Sequence, residues 1–400
     1  MYNLDKFSCD IPAMSMVKGI KGHCGYYCCP SCTIKGRYYE DSRNIGFVVH
    51  EDNIPTPRTN ENFRDFYGAK TLQSEMFVDH HLSEQPSPIL SIPNLDIIKA
   101  FPRDSIHLVF LGVSKKTISF WVDKPTINKS GKLSSHQINK INIILIEVST
   151  GYPNDFNRKP TSISEYNNWK ATEHRSFLLY HHYLKHRHLL SLAENYLEVF
   201  VNNFAVIYGE GYSSYNVHNL LHLADDCRQF GVLDDFSCFK FENKLGWLVK
   251  LLSTGFLPLA QAAKRIMSQF DYELRNYNLK ADRNLPSFEK RQHFGFLKVV
   301  FDKFYLETDT NNQWFLSTQP HKIISFKFAR SDEKLMGRVI PNRWASFTDP
   351  IDSRHLFIYY SDGNESEEIT SYSIDEVFAK MFRIKYENKI MFVPLLHTFK

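Results

Sequence analysis

The chain has 400 residues, 43% of them hydrophobic and 23% charged, with a formal net charge of +4. That length suits two or three domains, and that apolar share supplies a sizeable core, which excludes a disordered chain. A charge this slight permits contact with nucleic acid but does not argue for it, because an electrostatic footprint requires clustering on one face.

The opening "MYNLDKFSCD" has neither the basic start nor the apolar run of a secretory signal. The longest apolar run, "IHLVFLGV", is far short of the roughly 20 residues that span a bilayer. Five of the seven cysteines (Cys9, Cys24, Cys28, Cys29 and Cys32) crowd into the first tenth of the chain. An odd total and a tight Cys-x-x-Cys fit a reducing compartment and a metal site better than a disulfide framework. The expectation is a nuclear or cytoplasmic protein, not secreted and with no membrane partner.

In chain order, "LDKFSC" reads as a short strand ending at Asp10, and Pro12 opens a helix. Gly19 to Gly36, rich in Gly, Cys and Tyr, reads as an irregular metal-type knuckle. A proline-rich stretch over 50–94 follows, with a helix around "ENFRDFYGAKTLQSEM". "LDIIKAF" and "SIHLVFLGVSKKTISFWV" then read as apolar helices separated by "PRD".

From about 163 to 270, apolar residues recur at three- and four-residue spacing in "EYNNWKATEHRSFLLYHHYL" and "LLSLAENYLEVFVNNFAVIYG". "YNVHNLLHLADDCRQFG" places Val217, Leu220, Leu221 and Ala224 on one helix face and ends at Gly231. "FSCFKFENKLGWLVKLL" and "LAQAAKRIMSQFDYEL" complete the helical region. After about 290, "WFLST", "KIISFKFAR", "LMGRVI", "HLFIYY" and "KIMFVPLLHT" are short, aromatic and β-branched, separated by turns such as "SDGN". They point to a small antiparallel sheet or a five- or six-stranded barrel.

Several groups could carry chemistry. Cys29 and Cys32 have the two-residue gap that lets both thiolates reach one tetrahedral zinc ion. "DSIH" offers Asp104 and His107 as the remaining ligands, with His23 and Cys24 as nearer competitors. The bland reading is a pair of reduced, buried cysteines without metal. Asp10 sits where an acid at a strand's end could hold a divalent cation. Glu242 projects beside the apolar seam of Phe241, Leu245, Leu248 and Leu252. Two-metal phosphodiester cleavage needs converging acidic groups around ions about 3.5–4 Å apart. The bland reading is that Asp10 caps a helix and Glu242 is a solvated acid. His218 and His222 lie four apart, a ligand spacing without the adjacent Glu of a zinc protease motif. A solvated or core-edge pair is the default there, with Asp225 and Asp226 a turn beyond. "HHYLKHRH" is by default a solvent-facing stripe.

"CDIPAMSMVKGIKGHCGYYCCPSCTIKG" resembles the region around the second catalytic aspartate of CACTA (En/Spm) transposases. There an Asp-x-Pro-Ala segment precedes a Gly-His-x-Gly-Tyr-x-x-Cys-x-x-Cys knuckle. "SIPNLDIIKAFPRDSIHLVFLGVSKKTISFW" is similar to that family's Asp-x-x-His segment. "WKATEHRSFLLY" and the stretch from "YNVHNLLHLADD" to "FENKLGWLVKLL" are similar to its helical region and the helix bearing the last acid, and "PLLHT" to the end of its animal members. The resemblance implies a fold of mixed α/β and mostly α character: a partial ribonuclease-H-like DDE core over 1–50, a helical insertion and core helices over 51–290, and a β-rich domain over 291–400.

It further implies Asp10 and Glu242 as the second and third metal-binding acids, meeting around Mg²⁺ or Mn²⁺, and DNA as the partner. Cys29, Cys32, Asp104 and His107 would form a zinc clasp tying insertion to core. Only nine residues precede Asp10, so the strand bearing the first acid and the N-terminal DNA-binding module are expected to be missing. Such a chain is a catalytically incomplete copy or, alternatively, a domesticated module that binds DNA or a protein partner, as a homo-oligomer or with another chain.

Overall fold

A computed structural model describes residues 6–52, 54–68, 79–82, 86–123, 131–154, 156, 158–159, 161–178, 189–268, 286–293, 295–318, 320–349, 351–386, 389–395 and 398–399. The chain divides into two compact units. One comprises residues 1–140 and 160–240, the other 141–159 and 241–400. Residues 1–50 therefore do not stand apart as expected; they pack with the helices that follow.

In the first unit, α1 (Ile11–Lys18) begins at Asp10, whose Oδ1 accepts a hydrogen bond from the Ala13 amide at 2.8 Å. It ends at Gly19, in the left-handed conformation at φ 71° that glycine adopts without a Cβ penalty. Among the described residues, the strand expected before Asp10 shows one parallel bridge, Cys9 to Arg103. The knuckle follows, then a hairpin of β1 (Arg37–Tyr39) and β2 (Asn44–Gly46). Past α2 (Asn60–Gly68), the chain forms a widely wound π-type helix, α3 (Ile106–Ser114), which runs straight into α4 (Lys115–Val122).

The helix α5 (Ser135–Thr150) leads out of this unit, and α6 (Ala171–Phe177) and α7 (Leu190–Tyr208) return to it. Phe120 of α4 stacks on Tyr208 of α7, with ring centroids 4.6 Å apart. The single helix expected over "YNVHNLLHLADDCRQFG" is interrupted. It comprises α8 (Tyr215–Asn219), a tight 3₁₀ turn (Leu220–His222) and α9 (Leu223–Phe230), stopped at Gly231 with φ 96°. The short α10 (Leu233–Phe236) precedes α11 (Phe239–Lys250). One core packs Met14, Ile20, Phe63, Ile97 and Phe101; another packs Cys28, Cys29, Cys32, Ile34, Phe47 and Tyr215. Among the described residues this unit holds the β1–β2 hairpin and isolated bridges, not a multi-stranded sheet.

The second unit is built on antiparallel strands, as the sequence leads one to expect, but the described residues hold eleven of them rather than five or six. They are β3 (Ser287–Gln292), β4 (Gly295–Val300), β5 (Tyr305–Glu307), β6 (Trp314–Ser317), β7 (Ile323–Ala329), β8 (Leu335–Val339), β9 (Arg343–Ala345), β10 (Tyr359–Ser361), β11 (Ile369–Tyr372), β12 (Val377–Tyr386) and β13 (Lys389–Pro394). The spatial order is β11-β8-β7-β6-β12-β13-β10-β9, with β3, β4 and β5 branching off through a β4–β7 pairing. "HLFIYY" is strand only from Tyr359, because Ser353–Leu356 forms a 3₁₀ turn. Phe315, Ile324, Phe326 and Leu335 fill one core of this unit, and Trp314, Leu316, Met381 and Phe392 another. Tyr152 and Phe156, just past α5, pack their rings on Phe382 of β12.

Candidate metal centre

The knuckle is folded by its own backbone and by one arginine. Gly25 donates to the Gly22 carbonyl and Gly36 to the Tyr26 carbonyl, so the segment doubles back on itself. The buried Arg58 donates from Nε to the Cys29 carbonyl at 2.9 Å and from Nη2 to the Tyr27 carbonyl at 3.1 Å. These bonds hold Cys29 and Cys32 with their sulfurs 3.5 Å apart.

The opposite wall is delivered from far along the chain. The Phe47 amide donates to the Ser213 carbonyl, which anchors the start of α8 beside the β1–β2 hairpin. Gly112 of α3 lets α8 approach closely: a Cβ there would lie 2.5 Å from both Asn216 Nδ2 and the His107 carbonyl. The tight turn after α8 then brings two imidazoles onto the cysteines. His218 Nε2 is 3.3 Å from Cys32 Sγ, and His222 Nε2 is 3.5 Å from Cys29 Sγ.

All four ligand atoms lie within 4.8 Å of one another, with Cys29, Cys32 and His218 buried. Zinc bonds of about 2.3 Å to sulfur and about 2.0–2.1 Å to nitrogen put neighbouring tetrahedral ligands about 3.3–3.8 Å apart. The three closest contacts, 3.3 Å for His218–Cys32 and 3.5 Å for both His222–Cys29 and Cys29–Cys32, fall in that range, and the donor set fits a Cys₂His₂ zinc site. With four protein ligands and no open position, such a site is structural rather than catalytic.

The electrostatics prepare the centre for a cation. Burial pushes the Cys29 thiol up, but the hydrogen bond from Cys32 and the nearby His222 and His218 outweigh it and hold its pKa well below the ordinary thiol range. Cys32 is raised by its hydrogen bond to Cys29, by burial and by the Cys29 charge. A bound metal would take both sulfurs as thiolates and displace their protons. His222 is lowered, first by burial, which favours the neutral imidazole that ligates.

Asp104 and His107 do not join the cysteines, which corrects the expected ligand set. Asp104, 5% exposed, is committed elsewhere. Its Oδ1 accepts from the Cys238 amide at 2.7 Å, and its Oδ2 accepts from the His107 amide at 3.0 Å and faces His107 Nδ1 at 2.6 Å. Burial opposes its ionisation, yet these bonds hold its carboxyl below the usual range. The competitors His23 and Cys24 are not members of the cluster. The histidine pair, whose default reading is a solvated or core-edge feature, completes the site. Its four-residue spacing is the signal the sequence offers; the buried Arg58 has none.

Of the two candidate catalytic acids, Asp10 caps α1 in the first unit, and Glu242 is an exposed side chain in the first turn of α11. The Asp10 position is that of its bland reading as a helix cap. Asp225 pairs with Arg228 at 2.6 Å. The "HHYLKHRH" stripe and part of "PLLHT" lie outside the described residues.

A family model matches the C-terminal strands. It is described as Domain of unknown function (DUF8592) and covers residues 281–395, the stretch holding β3 to β13. No curated protein and no solved structure matches the chain. No helix among the described residues is long and apolar enough to cross a membrane.

Proposed function

We propose that this chain is transposase-derived, of the CACTA (En/Spm) type, with a ribonuclease-H-like DDE core stabilised by a structural zinc clasp. The observation that carries the reading is the Cys29–Cys32–His218–His222 cluster. It ties the segment just after Asp10 to the helices just before Glu242, the two acids that resemblance assigns to the active centre. A second feature is consistent with it: Cys9, just before Asp10, pairs in parallel with Arg103, just before Asp104.

In this reading DNA is the partner. Mg²⁺ or Mn²⁺ bound by the acids would activate the attacking hydroxyl and steady the leaving oxygen. Asp10 and Glu242 are two of the three acids that this chemistry uses. Mn²⁺-dependent cleavage abolished by Glu242→Gln would support the nuclease role of that acid, and cleavage indifferent to the substitution would overturn it.

One observation favours a non-catalytic DNA- or protein-binding module instead. The Asp10 carboxylate already serves as the helix cap of α1. A polypeptide extended upstream to supply a third acid separates the two readings: cleavage restored favours the nuclease, and DNA binding without cleavage favours the module.

A further inference from the structure

Arg103 lies where three parts of the first unit meet. Its side chain is 9% exposed, and every donor nitrogen of its guanidinium has a partner. Nε donates to Asn219 Oδ1 at 3.0 Å, Nη1 to both oxygens of Asp226 at 3.0 Å, and Nη2 to Ser31 Oγ. Its backbone amide also donates to Asp226 Oδ2 at 2.8 Å.

Those partners are not scattered. Ser31 sits between the ligands Cys29 and Cys32. Asn219 follows the ligand His218, is fully buried and places Oδ1 4.0 Å from Cys29 Sγ. Asp226 lies one turn past the ligand His222, on α9. The fork therefore spans the cysteine half and the histidine half of the metal centre at once.

We propose that Arg103 is the positioning residue of the metal centre, holding its two halves at ligand spacing and passing that registration to the Asp104–His107 pair. The proposal rests on the metal-centre reading above. Outer groups that orient metal ligands characteristically matter by 10–100-fold in affinity. A buried ion pair gives little net stability, since desolvation offsets its attraction, so alignment is the better account of this one. The link to Asp104 is covalent and immediate. Arg103 pairs with Cys9 and is followed by Asp104, whose carboxylate fixes both His107 and the Cys238 amide at the head of α11.

Lysine keeps the charge but cannot form the planar fork, which makes Arg103→Lys the discriminating variant. The full chain, stripped of metal, is titrated with Co²⁺ and followed by its thiolate-to-cobalt and d–d absorption bands. Arg103→Lys should weaken Co²⁺ binding about 10–100-fold and shift the d–d bands, with far-ultraviolet circular dichroism unchanged. It should also shift the His107 ring resonances in the NMR spectrum. Ser31→Ala, a milder loss of one arm, should weaken binding in the same direction and decides the matter if Arg103→Lys does not fold. Wild-type affinity and bands in the variants would overturn the positioning role, and unmoved His107 resonances would overturn its extension to Asp104. A wild-type chain that takes up no Co²⁺ would instead overturn the metal-centre reading itself.

Discussion

His218 Nε2 rests 3.3 Å from Cys32 Sγ although 186 residues separate them in sequence. That contact, repeated between His222 and Cys29, makes the centre a long-range staple of the first unit. Closing so long a loop costs chain entropy that grows only slowly with its length. A bound metal therefore acts as a strong cross-link on the unfolded chain.

Removing the metal should act on one unit. Cys29→Ser or His218→Asn should abolish zinc binding and destabilise the first unit by about 3 kcal/mol or more, roughly 6–12 °C in its melting midpoint. A chelator should do the same to the wild type. The β domain, which has its own cores, should melt unchanged. Calorimetry resolves the two transitions; a chelator effect on the β domain alone would contradict this assignment.

The first unit should also lose stability in mild acid. His174, held by burial at about 4, faces Ser114 Oγ, and its buried Nε2 has no hydrogen-bond partner among the described residues. His80, lowered well below the usual imidazole value chiefly by burial, is similarly placed, with Nδ1 on the Tyr27 carbonyl. Both fold neutral, whereas the unfolded chain takes up protons near pH 6.5. Their contribution is thus fully present above about pH 6.5 and is lost as pH falls toward 4. Urea midpoints between pH 4 and 7, measured on metal-free protein to exclude ligand protonation, should fall with pH. His174→Gln should flatten the curve.

Lys18 gives the opposite end of the range. It is fully buried between the rings of Phe63 and Phe101, and its Nζ has no hydrogen-bond partner among the described residues. Burial, then the Arg103 and Arg58 charges, lower its pKa to about 7. Because the unfolded lysine titrates near 10.4, the unfolded chain binds more protons between about pH 7 and 10. Stability should therefore rise across that window. Lys18→Met should stabilise the unit at pH 7 by ~3 kcal/mol and remove the alkaline rise. Destabilisation by this variant at neutral pH would refute the account of Lys18.

Gly112→Ala tests how α8 is delivered. The added methyl would meet Asn216 and the His107 carbonyl at 2.5 Å, forcing α8 outward. A cost of about 1–3 kcal/mol should come with weaker zinc binding, although residue 112 is no ligand. Loss of stability with unchanged zinc affinity would separate the glycine from the metal centre.

The chain's legibility was uneven for physical reasons. Cys29-Pro-Ser-Cys32 carried half of the site openly, because the two-residue gap is set by the metal. Its other half could not be read from spacing alone, since "DSIH" offered a gap matching the cysteines while "HNLLH" read by default as a solvated or core-edge pair. Packing decided between them: Asp104 was taken by the Cys238 amide, and the turn after α8 swung His222 inward. The longest strand, β12, went unread because "VFAKMFRIKY" carries charges at alternate-looking sites. Lys380 is nevertheless fully buried, with its ammonium on Asn312 Oδ1 at 2.9 Å. Three-residue strands such as β5 and β9 are too short for alternation to register. The Asp10 cap of α1 is legible, because Pro12 in the first turn marks the helix start.

The most direct test of the central claim is metal analysis combined with X-ray absorption at the zinc edge on the purified chain. The account requires one zinc per chain with two sulfurs at about 2.3 Å and two imidazole nitrogens at about 2.0–2.1 Å. That shell should be lost in Cys29→Ser and His218→Asn and kept in Asp104→Asn. Folded protein free of metal, or a shell containing an oxygen ligand that disappears in Asp104→Asn, would contradict it.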